Sequence, residues 1–254
     1  MIEINDLTKS YGNKLALQHL TLKIESGKIF GFLGHNGAGK STTIKNLVSI
    51  IQPTSGSIIV DGLDLAEHRQ EIKQKIAYVP DTPDIFLQLT AMEYWDLLAA
   101  AYDLVESDVQ ARRHKLVELF NMSERVDETM ASFSHGMRQK AVLIGALLTD
   151  PDIWILDEPM QGLDPQAAYD LKQLMKAHAE KGKTVIFSTH NLDTAQQLCD
   201  ELAILKTGQL IYNGSVQDLL AQHNGESLED IYLQMAGRQG DSHLVDDIEG
   251  DSHE

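Results

Sequence analysis

A glycine-rich segment in the first fifth of the chain has the residue types and spacing to bind phosphate. It matches the pattern G-x-x-x-x-G-K-[ST] and lies between a predicted strand and a predicted helix. Glycines let successive backbone N–H groups converge on phosphate oxygens, and the helix N-terminus adds its positive end. We expect Lys40 to reach the terminal phosphates of a nucleotide and the Ser41 hydroxyl to ligate Mg²⁺. The candidate nucleotide-binding residues of this segment are Gly34, His35, Asn36, Gly37, Ala38, Gly39, Lys40, Ser41 and Thr42.

A second candidate site lies at the end of an apolar run in the second half of the chain. Residues 153–156 read as a buried strand, and two carboxylates, Asp157 and Glu158, follow directly. In phosphate-loop NTPases the acid at such a strand end supports Mg²⁺, which assigns Asp157 to the metal. Glu158 is expected to polarise the attacking water as a general base. A bound Mg²⁺ would relieve part of the repulsion between the two charges.

Strands and helices on both sides of these motifs must hold them together. Residues 2–33 contain alternating or apolar stretches broken by turn residues, which is typical of strands. A helix is predicted from about residue 40 to residue 51, ending before Pro53. Strands are predicted at 2–4, 15–24, 29–33 and 57–60.

The middle of the chain, residues 84–149, has a different pattern. No glycine occurs from Leu63 to His135, and helical spacing is present in 94–102 and 113–120. We therefore predict a helical insertion. Alternating strands and helices return afterwards, which predicts an α/β fold with a parallel sheet. The later elements are strands at 153–156 and 184–187, a helix at about 166–180, and a hairpin formed by 202–205 and 209–212.

The C-terminal end differs in composition from the rest. Residues 240–254 include six Asp or Glu residues and no Lys or Arg, and Gly-Asp-Ser-His occurs there twice. Such a segment is typical of solvated disorder. We therefore predict one domain over 1–235, with the helical subdomain at about 84–149 inserted in it, and an acidic, disordered tail over 236–254.

Charge and composition exclude several classes of protein. The 254 residues carry 21 Lys and Arg against 38 Asp and Glu, so the net charge is −17, the opposite of a nucleic-acid binder. The longest apolar run, 141–148, is too short to cross a bilayer. A single cysteine, Cys199, excludes an internal disulfide framework and fits a reducing compartment. The N-terminus lacks the features of a signal peptide, so we expect a cytoplasmic protein.

A third motif makes the sequence resemble the nucleotide-binding subunit of an ABC transporter over about residues 2–235. The stretch 133–140, Phe-Ser-His-Gly-Met-Arg-Gln-Lys, stands where that family has its signature sequence, before Asp157 and Glu158. Ser134 is a good N-cap for the predicted helix that follows and offers a second anion site. In the family, two such domains sit head to tail, and each signature contacts the γ-phosphate held by the opposite loop. The resemblance implies ATP in a dimer, with Ser134, His135, Gly136 and Met137 acting in trans.

The resemblance also implies roles for three further residues and for the fold. The stretch Gly-Leu-Asp-Pro, which contains Asp164, resembles the family's D-loop, the segment that couples the two sites. His190 resembles the switch histidine that contacts the γ-phosphate, and Tyr11 fits the aromatic residue on which adenine stacks. The implied fold is a phosphate-loop NTPase core with a parallel sheet, an N-terminal antiparallel β-subdomain and an inserted helical subdomain.

Three positions depart from the family's usual pattern. Asp81 follows Pro80 where the family usually has glutamine; its carboxylate can still hold a Mg²⁺-bound water, but it adds negative charge. His135 and Met137 stand where Gly and Gln are commoner. This variant resembles the export branch of the family, in which the transmembrane part is a separate polypeptide.

The leading hypothesis is an ATPase subunit that drives export through a transmembrane permease. It would act as a homodimer or as a heterodimer with a homologue, held on the inner face of the membrane by the permease, without nucleic acid as a partner. Residues 83–89 are either a docking surface for that permease or part of the insertion's own core. One alternative is a soluble ABC ATPase acting on ribosomes or DNA, although the tandem domains, long coiled coils and basic arms of such relatives are missing. A nucleotide switch that barely hydrolyses ATP is another, for which Asp81 is the only argument.

Overall fold

The structure is a computed structural model that describes residues 1–223, 226–235 and 237. The strands of this part are β1 (Ile2–Tyr11), β2 (Lys14–Ile24), β3 (Ile29–Leu33), β4 (Ser55–Val60), β5 (Leu63–Asp64), β6 (Ile76–Val79), β7 (Ile153–Asp157), β8 (Thr184–Thr189), β9 (Glu201–Lys206) and β10 (Gln209–Ser215). The helices are α1 (Lys40–Leu47), α2 (Arg69–Gln74), α3 (Ala91–Ala101), α4 (Glu106–Leu119), α5 (His135–Leu148), α6 (Pro165–Glu180), α7 (Leu192–Leu198), α8 (Val216–Gln222) and α9 (Leu228–Met235).

The N-terminal strands form an antiparallel sheet in the order β2-β1-β4-β5. β1 is the central strand, and its residue Ile2 pairs with Ile24 of β2 and with Val60 of β4. Alternating apolar residues of β1, such as Ile2 and Ile4, are fully buried, which gives this sheet one face against the core. The predicted N-terminal antiparallel subdomain is confirmed.

A second, six-stranded sheet follows the order β10-β9-β3-β8-β7-β6. Neighbouring strands from β9 to β6 are parallel, whereas β10 pairs with β9 as an antiparallel hairpin. Every residue of β3, β7 and β8 is buried, as expected for strands covered on both faces. The loops that follow these three strands leave from the same edge, where α/β sheets bind their ligands.

Two hydrophobic clusters cover the faces of the parallel sheet. One fills the space between the two sheets and includes Phe30, Phe32 and Ile44, so that α1 lies between them. The other includes Trp95 and Phe187 and joins the sheet to the helices on its opposite face. Burial of α1 on this scale gives its N-terminus, which carries Lys40, a rigid support.

The region predicted as a helical insertion carries α3, α4 and α5, together with two short 3₁₀ turns. α3 begins with a capping box, in which Thr90 and Glu93 satisfy each other's backbone N–H groups. The prediction that α1 extends to about residue 51 is wrong, because the helix ends at Leu47 and Ser49 has a φ of 54°. A left-handed residue at that position stops the helix well before Pro53.

Most of the segment predicted as an acidic tail, residues 236–254, lies outside the described residues; only Gly237 is described. That prediction stays a prediction, as does the domain boundary at residue 235. Among the residues that the structure describes, no helix combines the length and apolar character needed to cross a bilayer.

Candidate nucleotide-binding and catalytic site

The glycine-rich loop leaves β3 and enters α1 through a backbone that only glycine fits. Gly39 is the N-cap of α1 with a φ of 114°, and a Cβ there would lie 2.8 Å from Leu17 Cδ2 and 3.1 Å from the Ala16 carbonyl oxygen. The loop therefore passes close to β2 before the helix begins at Lys40. This arrangement directs the free N–H groups of the first helical turn toward the loop, as in an anion site.

Lys40 lies between the loop and the strand-end carboxylates. Its Nζ donates to the Gly34 carbonyl oxygen at 2.7 Å and lies 3.5 Å from Glu158 Oε1. The side chain is only 6% exposed, so its charge acts with little screening by solvent. A cation placed in this way can contact both a phosphate group held by the loop and the Glu158 carboxylate.

Asp157 lies at the end of β7 and is held by two hydroxyl groups. Ser41 Oγ donates to Asp157 Oδ1 at 3.2 Å, and Ser188 Oγ donates to the same oxygen at 2.5 Å. Burial raises the pKa of Asp157 above its usual value, the two hydroxyl groups oppose that shift, and the charges of Asp81 and Glu158 add to it.

The second oxygen of Asp157 fits a divalent cation. Oδ2 is buried and has no hydrogen-bond partner among the described residues, so the carboxylate is only half satisfied. The Ser41 hydroxyl lies beside the same carboxylate. An unpaired carboxylate oxygen next to a hydroxyl is the oxygen-rich donor set that Mg²⁺ prefers.

Glu158 has a backbone conformation unusual for its residue type. Its φ is 47°, its N–H donates to Ser188 Oγ at 2.9 Å, and its side chain is 14% exposed. Oε2 lies 3.0 Å from His190 Nδ1, so the carboxylate is oriented from one side by the histidine and from the other by Lys40. Left-handed backbone at a non-glycine residue is a local strain that often marks a functional site. Glu158 and His190 therefore form a connected acid–base pair at one edge of the sheet.

Ser188 is a functional residue that sequence reasoning missed. It accepts from the Glu158 N–H and donates to Asp157 Oδ1, so one hydroxyl holds the Glu158 backbone and the Asp157 carboxylate. The parallel register of β7 and β8 pairs Asp157 with Ser188. The residue stands two positions before His190, but nothing in the local pattern indicates which strand lies beside β8.

A cavity of about 760 Å³ brings together most of the predicted nucleotide-binding residues. The predicted residues that line it are Tyr11, His35, Asn36, Gly37, Gly39, Lys40, Ser41, Thr42, Asp81, Glu158 and His190. Gly34, Ala38 and Asp157 are not part of its lining, although Gly34 and Asp157 contact Lys40 and Ser41 respectively. Residues that sequence reasoning did not single out complete the lining: Lys14, Leu15, Ala16, Gln18, Gln161 and Thr207. Tyr11 is half exposed, with Lys9 Nζ 5.2 Å from its ring centroid.

Asp81 lines the cavity but does not belong to a cluster of metal-binding side chains among the described residues. Its charge contributes to raising the pKa values of Asp157 and Tyr78, in each case after burial. Nevertheless, the described residues contain no group of three His, Cys, Asp or Glu side chains close enough to hold a metal ion.

The predicted signature residues lie apart from this cavity. Ser134 caps α5 by accepting from the Met137 N–H at 3.3 Å, which confirms the predicted cap. Neither Ser134, His135, Gly136 nor Met137 lines the cavity around Lys40. Asp164 is likewise outside its lining and caps α6 through a hydrogen bond from the Ala167 N–H at 2.9 Å. The described residues of one chain therefore carry two separate groups of predicted site residues.

Comparison with known proteins identifies the family of this chain. Residues 17–161 match the family described as ABC transporter. The ATP-binding protein EcsA of Bacillus subtilis, an ABC-type transporter protein, is 35% identical over 92% of this chain and 96% of its own length. The chain belongs to the ABC transporter family. It is an ATP-binding subunit of that family and an ATPase.

Other members of the family and solved structures are similar to this ABC ATPase over most of its length. NatA of Bacillus subtilis, an ABC transporter ATP-binding protein, is 32% identical over 92% of this chain and 97% of its own length. A solved ATP-binding subunit of an ABC transporter superposes with a TM-score of 0.87 at 35% identity, covering 92% of this chain and 99% of its own. A bacterial ABC transporter cassette solved as a dimer has a TM-score of 0.77 at 25% identity, covering 85% and 99%. The predicted fold class is confirmed.

Proposed function

We propose that this ABC ATPase works as a head-to-tail homodimer that hydrolyses Mg-ATP and drives export through a separate membrane permease. The observation that carries the dimer is the separation of two half-sites in one chain. The cavity around Lys40 lacks the signature residues, while Ser134 caps α5 elsewhere on the same chain. Two identical copies arranged by a twofold axis would complete both sites at once.

ATP would be held mainly by the loop and by Lys40. The N–H groups at the start of α1 would bind phosphate oxygens, and Lys40 would exchange its contact with the Gly34 carbonyl for the terminal phosphates. Tyr11 lines the same cavity and would stack on the adenine ring. The partner chain would supply its Ser134 hydroxyl and the N–H groups of His135 and Gly136 to the γ-phosphate, with Met137 beside them holding Ser134 through the α5 cap.

Hydrolysis would depend on Glu158 and His190. Glu158 would accept a proton from the attacking water, and its 3.0 Å contact with His190 and the 2.9 Å contact of its N–H with Ser188 would fix its direction. His190 is 61% exposed at the cavity edge, where it would contact the γ-phosphate as charge develops.

Mg²⁺ would be held by Ser41 and Asp157, and Asp81, which lines the same cavity, would hold a metal-bound water. When bound, the ion would neutralise charge on the β- and γ-phosphate oxygens. The unpaired Oδ2 of Asp157 supports this assignment. Because its side chain is one methylene shorter than that of the usual glutamine, we expect Asp81 to be the weaker contact of the ion.

Export and a separate permease are supported by the names of relatives. A linearmycin resistance ATP-binding protein of Bacillus subtilis is 32% identical over 93% of this chain, and a Nod factor export ATP-binding protein of Cupriavidus metallidurans is 29% identical over 91%. The term subunit in a solved neighbour's description also fits a partner polypeptide. The chain would then lie in the cytoplasm, on the inner face of the membrane.

Residues 83–89 are the proposed permease contact, and their apolar side chains lie partly at the surface and partly against the core. Phe86 is 54% exposed and lies 5.8 Å from the Tyr94 ring, centroid to centroid. Ile85, Leu87 and Leu89 pack instead against the hydrophobic core. The core interpretation therefore applies to Ile85, Leu87 and Leu89, and Phe86 is the residue that we propose for docking.

Complementation between two inactive variants tests the head-to-tail site. Lys40→Ala removes the phosphate contact and Ser134→Arg blocks the signature, so each variant alone should lack ATPase activity. In a mixed dimer one composite site keeps both its loop and its signature. Equal mixing should restore up to about a quarter of wild-type activity, because half of random dimers are mixed and each holds one intact site of two. No recovery, despite proven mixed dimers, would refute the arrangement.

A pull-down from detergent-solubilised membranes of the native cells tests the permease. The tagged Glu158→Gln variant with ATP should hold the closed dimer, and Phe86→Ser in that background is the docking control. We expect a multi-helix membrane protein in near-equal amount, lost with Phe86→Ser. Ribosomal proteins or DNA-repair factors in its place would favour the soluble ABC ATPase.

A further inference from the structure

Residues in the first two turns of α5 contact the connection between the β7 carboxylates and α6. We call this connection, residues 159–164, the linking segment. Near its start, the buried Gln139 donates from Nε2 to the Pro159 carbonyl oxygen at 3.3 Å. In its middle, a Cβ on Gly136 would overlap the Gly162 carbonyl oxygen, so the two backbones touch.

An ion pair closes the far end of the linking segment. Lys140 Nζ lies 2.5 Å from Asp164 Oδ2, and the lysine side chain is only 13% exposed. The other oxygen of Asp164 accepts from the Ala167 N–H and caps α6. The hydrogen bond from Lys140 is the largest cause of the lowered pKa of Asp164. This pair therefore ties the start of α5 to the start of α6.

These contacts between α5 and the linking segment connect two predicted site residues, Ser134 and Glu158. The linking segment begins directly after Glu158, and the Gln161 N–H donates back to the Glu158 carbonyl oxygen at 3.0 Å. α5 begins directly after Ser134. A shift of α5 would therefore move the linking segment, and a shift of that segment would move the backbone of Glu158, whose φ of 47° leaves it little freedom.

We propose that Lys140 is a positioning residue for ATP hydrolysis, which holds the linking segment through Asp164 and so fixes Glu158 in its own chain. It does not touch the nucleotide cavity, whose lining excludes it. The inference rests on the proposed function in one respect: in a head-to-tail dimer, α5 also carries the signature that contacts the partner's ATP. Lys140 would then couple signature contact at one site to Glu158 at the other.

Lys140→Met tests the proposal, because it removes the charge and keeps most of the apolar stem. We expect kcat to fall about tenfold through misplacement of Glu158, while KM for ATP changes by less than about twofold. The Hill coefficient for ATP should fall toward one, and Lys140→Arg should restore most of the rate. The matched control is Lys176→Met, an exposed lysine on α6 with no ion pair among the described residues, which should behave as wild type.

A double-mutant cycle separates positioning from a general loss of stability. Asp164→Asn keeps an oxygen to cap α6 but loses the ion pair, so it should reproduce the kcat loss, and adding Lys140→Met should cost little more. An unchanged kcat in both single variants, or losses that multiply in the double variant, would overturn the proposal. If complementation fails while Lys140→Met still lowers kcat without changing the melting temperature, the head-to-tail site is wrong but positioning of Glu158 within one chain stands.

Discussion

At the scale of single residues, His178 shows how burial alters an ionisable group away from the nucleotide site. Its ring stacks on Trp154, with ring centroids 3.8 Å apart and planes 17° apart. Burial, followed by the nearby charge of Lys183, lowers the pKa of His178 to about 4. Asp150 Oδ1 lies 4.0 Å from Nδ1, and Nε2 has no partner among the described residues. The folded protein therefore keeps this histidine neutral.

This pKa predicts a loss of stability in acid. Between about pH 4 and the ordinary value of 6.5, the unfolded chain binds more protons at His178 than the folded one. The stabilising contribution is therefore complete above pH 6.5 and is lost as the pH falls toward 4. We expect His178→Phe, which keeps the stack, to remove up to about 3 kcal/mol of this pH dependence of the unfolding free energy.

Urea unfolding across this pH window measures the difference between variants. His114→Gln is the matched control, because His114 is 81% exposed and should leave the pH dependence unchanged. Parallel pH profiles for His178→Phe and the wild type would contradict the assignment.

At the scale of elements, α3 and α5 approach so closely that glycine is required between them. A Cβ on Gly145 would lie 2.6 Å from Leu98 Cδ1 and 2.8 Å from Tyr94 Cε1. Trp95 Nε1 donates to the Ala141 carbonyl oxygen at 2.9 Å and holds the two helices in register. Helical spacing in 94–102 predicted α3 and the Ser134 cap predicted α5, but glycine in a helix normally only weakens it. The close packing of α3 against α5 therefore explains the glycine at position 145.

We expect Gly145→Ala to destabilise the protein although alanine is the better helix former. The gain of about 1 kcal/mol in helix propensity is smaller than the overpacking cost, which reaches about 3 kcal/mol. A net loss of about 1 kcal/mol corresponds to a fall in melting temperature of about 2–4 °C in a domain of this size. Adding Leu98→Ala should relieve part of the crowding, so the double variant should lose less than the sum of the two changes. A higher melting temperature for Gly145→Ala would contradict this packing argument.

At the scale of the whole molecule, the net charge of −17 opposes association of two copies. Screening weakens the repulsion between exposed charges as ionic strength rises, while buried contacts to ATP are screened much less. Dimer formation should therefore become more favourable with added salt.

We expect the ATP-bound Glu158→Gln variant to show a larger dimer fraction at about 0.15 M salt than at low salt. Light scattering coupled to size exclusion measures the fraction directly. Adding Ser134→Arg to the same background should keep the protein monomeric at both salt concentrations. A dimer that weakens with salt would indicate instead that attraction between opposite charges governs assembly.

The sequence alone was enough to predict those site residues of this ABC ATPase that lie together in one continuous stretch of backbone. The loop from Gly34 to Ser41 and the pair Asp157 and Glu158 are local motifs, since a strand end or a helix start is enough to place them. Ser134 was predictable as a cap for the same reason. Apolar periodicity likewise predicted the helical region between the β/α parts, because burial of one helix face requires it.

Tertiary structure alone decided which of these local features meet. Ser188 reaches Asp157 only because β7 and β8 are neighbours in parallel register, and Lys140 reaches Asp164 only because α5 packs on the linking segment. The end of α1 at Leu47 depends on the left-handed Ser49, which no breaker residue signals. Such contacts join residues far apart in the chain, so their energy depends on strand order and helix packing, which local propensity does not encode.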